Sequence, residues 1–496
     1  MSWYLLQIII CFSLLSAAVF GQDSAVYQPE QMHADLRKFR SALEYAHPDL
    51  YANVTPEEFS RLFQSLIQQS SAPLKPVQFH NLVLQLVAGL HDGHTTVQPT
   101  KAFRTDLYQQ KLLPFHVMVQ NERTFLIRNM SGKEIADGSE ILSIDNNLSN
   151  KIISEFKLHF AGDGFCESCL DYRFGSSYHS FYRSYAWIFG SRPSNNFAIR
   201  DRNTGKILEI DLAGISGSEF REREKKKYGN NLHTSSLEET LAKPVIITNI
   251  DRKNRFAYLK INRFFKDSFD EPANTFPDLY KEAFRQIKNS GIKTLIIDLR
   301  DNGGGIGGNA AHLIRYLSGN PFIPTREMSL RGNDEYYAKI TNEILDLDRY
   351  FGLKKSSDGR YLVTETKDLS ELREFQPETD HQFRGRIYVL TNGGTVSAAA
   401  AAAGMLRENT SAVFVGQETG GYAGMSNGIR QLTIRGDATD VSINFPLIHS
   451  DFNVHKSVKG RGVVPDHFVE SSVSDVISGR DAILDFVLDR IRKEKR

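Results

Sequence analysis

Residues 294–308 set the tightest limit on the architecture of this chain. The run Thr294-Leu-Ile-Ile-Asp298 is almost wholly apolar, and Leu299-Arg-Asp-Asn-Gly-Gly-Gly-Ile-Gly-Gly308 follows it with five glycines in the last six positions. A buried strand that turns through glycines into a helix belongs to a layered α/β core. Such a turn leaves backbone N–H groups free to face an anion. Gly303, Gly305 and Gly308 also meet the Gly-x-Gly-x-x-Gly spacing of dinucleotide sites. That match is weak, because it lies mid-chain and lacks the Lys-Ser/Thr pair of a phosphate-binding loop. The turn therefore reads as an oxyanion-binding element, as a purely structural tight turn or, least well, as a nucleotide site.

The pattern recurs at Val389-Leu-Thr-Asn-Gly-Gly-Thr-Val-Ser397, where a strand leads through glycines to a serine that opens the alanine run Ala398 to Ala403. Ser397 is either an N-cap or a nucleophile exposed at the carboxyl edge of a strand. A nucleophile needs a base within hydrogen-bond reach and donors for the developing oxyanion. The base candidate is His94, in the turn Leu90-His-Asp-Gly-His-Thr-Thr-Val97, with a structural histidine as the other reading. The donor candidates are the amides of Gly303, Gly304 and Ala398.

Hydrophobic periodicity divides the rest. Apolar residues recur at helical spacing up to Leu90, which predicts an N-terminal helical domain over 22–100 that ends in the His94 turn. Short strands at 115–119, 124–128, 141–145, 196–200 and 207–212 predict a β-rich module over 105–215, interrupted by an insertion at 165–192. Trp187 and its aromatic neighbours in that insertion read as a lid packed on the core. A linker or solvated helix rich in charge follows within 216–250, and strands alternate with helices through 251–496.

The chain has 496 residues, 41% of them hydrophobic and 24% charged, which suits a soluble globular protein of two or three domains. With 60 Lys+Arg against 59 Asp+Glu the net charge is +1, so no global field exists to hold nucleic acid or an anionic membrane. Residues 5–20 are nearly all apolar and run into small residues, which predicts a signal peptide at 1–21 and export to a periplasm or the exterior. No integral membrane segment is expected after its removal. Cys166 and Cys169 then form a lone Cys-x-x-Cys, either a loop disulfide or two idle thiols, since zinc would need two further ligands. His91, His449 and His455 join His94 without metal-ligand spacing on any helix face, so neither metal nor cofactor is expected.

At this point the residues resemble a known family, the tail-specific or C-terminal processing serine proteases and their tricorn-like relatives. The resemblance rests on Asp92-Gly-His-Thr95, on Leu295-Ile-Ile-Asp-Leu-Arg-Asp-Asn-Gly-Gly-Gly305, on Gly394-Thr-Val-Ser-Ala398, on Gly416-Gln-Glu-Thr-Gly-Gly421 and on Gly460-Arg-Gly-Val-Val-Pro-Asp466. It implies a crotonase-like ββα-repeat core, preceded by the helical domain and a PDZ-like module that captures a substrate's C-terminus by strand addition. It places the nucleophile at Ser397 and the oxyanion hole at Gly303, Gly304 and Ala398. One branch of the family uses a lysine base, but Thr419-Gly-Gly-Tyr422 carries none, so His94 takes the role that the histidine branch implies. The glutamate of the tricorn-like relatives is replaced by Lys459-Gly460-Arg461, and Glu418 is the motif-borne acid expected to orient His94, with Asp92 and Asp451 behind it. The implied activity is hydrolysis of protein or peptide substrates through an acyl-enzyme on Ser397. The alternative is a non-catalytic binding protein for apolar ligands or peptides on the same fold.

Overall fold

The computed structural model describes residues 26–100, 111–175, 181–229, 241–266, 276–366 and 370–493. The expected leader lies outside them. Among the described residues, no helix is long and apolar enough to cross a membrane.

Three helices come first: α1 (Pro29–Ala46), α2 (Pro56–Gln69) and α3 (Pro76–Ala88). Each carries proline in its first turn, where a missing N–H costs nothing. Their buried faces, with Leu36, Phe39, Phe63 and Leu86, share one core with Met328, Leu432, Ile443 and Phe445 from far down the chain. Amphipathic spacing shows that a face is buried without showing what covers it. The helices are accordingly a wall of the C-terminal region. β1 (Thr96–Gln98) follows the histidine turn and pairs antiparallel with residues 442–444.

The β-rich module comprises β2 (Phe115–Gln120), β3 (Arg123–Asn129), β4 (Glu140–Ile144), β5 (Asn147–Leu148), β6 (Ser194–Arg200) and β7 (Ile207–Ala213). They form a six-stranded sheet in the order β2-β3-β4-β6-β7, with β5 beside β4. Between β5 and β6 run α4 (Ser149–His159), α5 (Glu167–Gly175) and α6 (Phe181–Phe189). The charge-rich run that follows is α7 (Gly217–Tyr228). It is docked rather than free, because Phe220 and Glu224 are buried and Glu224 accepts from Arg128 at 2.8 Å.

The next sheet contains β8 (Ile246–Asp251), β9 (Phe256–Ile261) and, after α8 (Phe276–Ser290), β10 (Thr294–Asp298). Then follow α9 (Gly307–Arg315), β11 (Thr325–Leu330), β12 (Phe351–Lys355), β13 (Tyr361–Thr366), β14 (Arg386–Thr391), α10 (Ala398–Asn409) and β15 (Val413–Gly416). The chain ends with β16 (Met425–Arg435), β17 (Ser442–Phe452), β18 (His467–Phe468) and α11 (Ala482–Lys493). Strands β18-β15-β14-β10-β9-β8 make one six-stranded sheet, parallel from β18 to β9. Leu295 and Ile297 face the core shared with α8, α9 and α10, while Ile296 faces Val487 and Ile491 of α11. Both faces of β10 are thus covered, which explains its unbroken apolar run. The remaining sheet is β1-β17-β11-β13-β12 with β16 on β17.

β10 and β14 are parallel neighbours with Asp298 opposite Leu390, so the two glycine turns leave the sheet side by side. The cleft at the carboxyl ends of such strands is where α/β sheets hold their chemistry.

Candidate active site

Ser397 sits between β14 and α10 with φ 52° and ψ −130°. This region costs a non-glycine residue strain, and such strain clusters at functional sites. The N-cap reading fails, since the hydroxyl makes no capping bond to the helix. The six alanines that follow are buried, which lets α10 lie close against its neighbours. Asn302 couples the two turns: its side chain donates to the Ile261 carbonyl at 2.9 Å, and its own carbonyl accepts from the Val396 N–H at 3.1 Å. Gly304, at φ +98°, must be glycine, because a Cβ there would come within 2.7 Å of the Ser397 Cβ.

The structure separates the three expected oxyanion donors. The Gly304 amide is already committed, donating to Asn302 Oδ1 at 2.9 Å. Among the described residues no acceptor is recorded for the Gly303 or Ala398 amide, and the space beside Gly303 is open. Ala398 also opens α10, where the helix dipole favours negative charge.

His94 Nε2 lies 3.3 Å from Ser397 Oγ. Its other ring nitrogen, Nδ1, is 3.5 Å from Asp163 Oδ1 and 3.9 Å from Asp92 Oδ1. Asp163 lies between α4 and α5, inside the β module, and no sequence motif marked it. It is pinned in place: Gly93 N–H donates to Oδ1 at 2.7 Å, and Gly164 N–H donates to the His91 carbonyl at 2.9 Å. Gly93 permits this approach, since a Cβ would meet Asp163 Oδ1 at 2.9 Å. Burial by itself lowers the His94 pKa, and the Asp163 and Asp92 carboxylates outweigh it, raising the imidazole to about 9.

Glu418 does not occupy the place expected for it. Both its oxygens are turned away from His94: Oε1 accepts from Arg461 Nε and from the Gly462 N–H, each at 2.8 Å, and Oε2 accepts from Arg461 Nη2 at 2.5 Å. Its role is to hold the 460–462 loop. Asp451, the other reserve acid, pairs with Arg326. Replacement of Glu418 by Gln should therefore change kcat/KM by no more than about threefold and cost about 1 kcal/mol of stability, because Gln can still accept the Gly462 N–H and the Arg461 end of the pair is exposed. Steady-state kinetics with a melting curve check this.

The nucleotide reading of the glycine turn also fails. The N-terminus of α9 is filled by the buried Glu371 carboxylate, which accepts the Gly308 N–H at 3.1 Å where a pyrophosphate would sit. Cys166 and Cys169 are free thiols beside the site, and burial pushes them up to about 11 and about 12. His91 packs at a tilt against Phe165, His449 pairs with Asn427 and His455 with Glu408, so these three do not converge. Asp92, His94 and Asp163 do bring three donor atoms within 4.8 Å of one another, but Asp92 and Asp163 already accept from backbone amides.

The model of peptidase family S41 matches residues 255–469. Among solved structures, mature CPAF aligns over 94% of this chain and 97% of its own, at 14% identity and a TM-score of 0.60. Mature CPAF in complex with lactacystin (14% identity, 94% and 98% covered, TM-score 0.60) and a CPAF serine-to-alanine mutant (14%, 94% and 97%, 0.60) align equally well. At that identity the likeness is one of fold. A search of the curated proteins found no match. The family match supports a peptidase, and the motifs of this chain are similar to those of the tail-specific proteases.

Proposed function

We propose that the protein is an exported serine-type peptidase that cleaves peptide bonds through an acyl-enzyme on Ser397. One observation carries this reading: a strained serine whose hydroxyl leaves its own helix uncapped and faces an imidazole nitrogen 3.3 Å away. In the reaction, His94 Nε2 takes the Ser397 proton as Oγ attacks the carbonyl, and the amides of Gly303 and Ala398 receive the oxyanion. His94 then returns the proton to the leaving amine, and water repeats the sequence to release the acyl group. Asp163 replaces Glu418 as the carboxylate that fixes the imidazole tautomer. The crotonase-like and PDZ-like readings complete the proposal: the β module, whose edge strand β7 ends its sheet, would hold a substrate's C-terminus by strand addition.

The test is fluorophosphonate labelling of the mature protein, with peptide mapping of the adduct and His94→Ala in parallel. Labelling at Ser397 that depends on His94 supports the reading. A folded protein that is not labelled and co-purifies with an apolar ligand favours the binding-protein alternative. Lactacystin, with which mature CPAF was solved in complex, is a second probe of the same serine.

The pH profile offers an independent check. A base must be neutral to accept a proton, and at a pKa of about 9 only about one imidazole in a hundred is neutral near pH 7. The kcat/KM should therefore rise about tenfold per pH unit between about pH 6 and 8 and level off above about 9. A limb centred near the ordinary histidine value of about 6.5 would contradict the geometry.

A further inference from the structure

His47 follows α1 directly, and its side chain is fully buried. Both ring nitrogens are committed. The Asp49 N–H donates to Nδ1 at 3.3 Å, so Nδ1 is the acceptor and the proton sits on Nε2, which lies 2.8 Å from Asp92 Oδ2. Thr95 Oγ1 at 3.2 Å and Asn427 Nδ2 at 3.3 Å donate to the same oxygen, while Oδ1 accepts the His94 N–H at 2.9 Å. Asp92 is thus supplied with donors without using the His94 ring. This accounts for the order of distances around His94 Nδ1, with Asp163 nearer than Asp92.

We infer that His47 is a positioning residue of the catalytic site: by tying Asp92 to the turn it keeps that carboxylate off His94 Nδ1 and leaves the nitrogen to Asp163. The inference rests on the reading of His94 as the base. Two carboxylates flank one N–H, and only one can align with it. An imidazole drawn toward Asp92 turns Nε2 off the line to Ser397 Oγ, and a hydrogen bond to an ionised group is strong enough to do this. The charged groups facing the His94 ring are Asp92 and Asp163. Around His47 stand Asp92, the Asp49 backbone and the Phe445 ring, and His449 reaches Asp92 only through Asn427.

The experiment compares kcat, KM and the pH profile of wild type, His47→Leu and His47→Gln on one peptide substrate. His47→Leu should lower kcat about tenfold with KM within about twofold, and move the ascending limb to higher pH, because the released Asp92 charge faces the imidazole. His47→Gln, whose amide can donate from the place of Nε2, should keep most of the rate and the wild-type limb. In an Asp163→Asn background the effect disappears: His47→Leu should cause no further loss, since Asp92 is then the one carboxylate free to take Nδ1. A folded His47→Leu with unmoved kcat and limb would overturn the inference, as would a loss that multiplies in full with that of Asp163→Asn. If His47→Leu does not fold, Asn427→Ala removes another donor from the same oxygen and carries the same expectations. Failure of the wild type to be labelled at Ser397 strikes the peptidase reading instead, so the two failures are distinguishable.

Discussion

Ser397→Ala should reduce kcat/KM on a cleavable peptide by about 10⁴-fold or more, equivalent to about 5.5 kcal/mol of transition-state stabilisation, and leave the fold unchanged. The second half of this expectation follows from the first half's geometry. Because the Ser397 hydroxyl makes no bond to α10, its removal takes no cap from the helix, and circular dichroism and melting temperature should match the wild type. Alanine at φ 52° bears the strain that serine already bears. His94→Ala should cost about as much, and the double variant little more, because nucleophile and base act as one unit. Residual hydrolysis above about 1% of wild type in Ser397→Ala would remove the serine from the mechanism.

How far the sequence reveals this site depends on how local each signal is. Ser397, Gly303 and Ala398 lie where strands turn into helices, and a strand, a glycine turn and a helix are all written in adjacent residues. His94 is legible for the same reason, since Asp92-Gly-His-Thr95 is a turn that can be read in place. Asp163 lies in the connection between α4 and α5, just ahead of the expected insertion, and its partner stands on a turn contributed by the helical segment. The short run Ala161-Gly-Asp-Gly-Phe165, an acid between two glycines, was the one local hint. Glu418 misled because it lies in a motif, whereas what decides its role is Arg461 across a loop. Strands β16 and β17 escaped for a different reason. Ile429 and Arg430 take positive φ within β16, and the register slips between Gly428 and Gln431, so apolar and polar residues do not alternate cleanly. The α/β core was the clearest element, because β10 and β14 are covered on both faces and contain little except apolar residues.

Asp163→Asn carries the other large effect and tests the least legible part of the site. The amide oxygen of asparagine can still accept the Gly93 N–H, so the loop between α4 and α5 should keep its place. What changes is the charge facing His94 Nδ1, because the same Oδ1 position lies 3.5 Å from that nitrogen. A neutral amide oxygen there still accepts from Nδ1–H but no longer stabilises the imidazolium that forms as Ser397 gives up its proton. The kcat should fall between about 10²- and 10⁴-fold while KM stays within about threefold. The pH profile separates this from a mere loss of packing. Asp163 is the foremost of the charges that raise His94 to about 9, so the ascending limb should move to lower pH in the variant. Asp92 remains and keeps it above the value of a free histidine. A structural role predicts a lower rate with an unmoved limb, and that outcome would return the orienting carboxylate to Asp92. If the limb moves as expected, the β module supplies part of the catalytic machinery, and the peptidase core cannot work when separated from it.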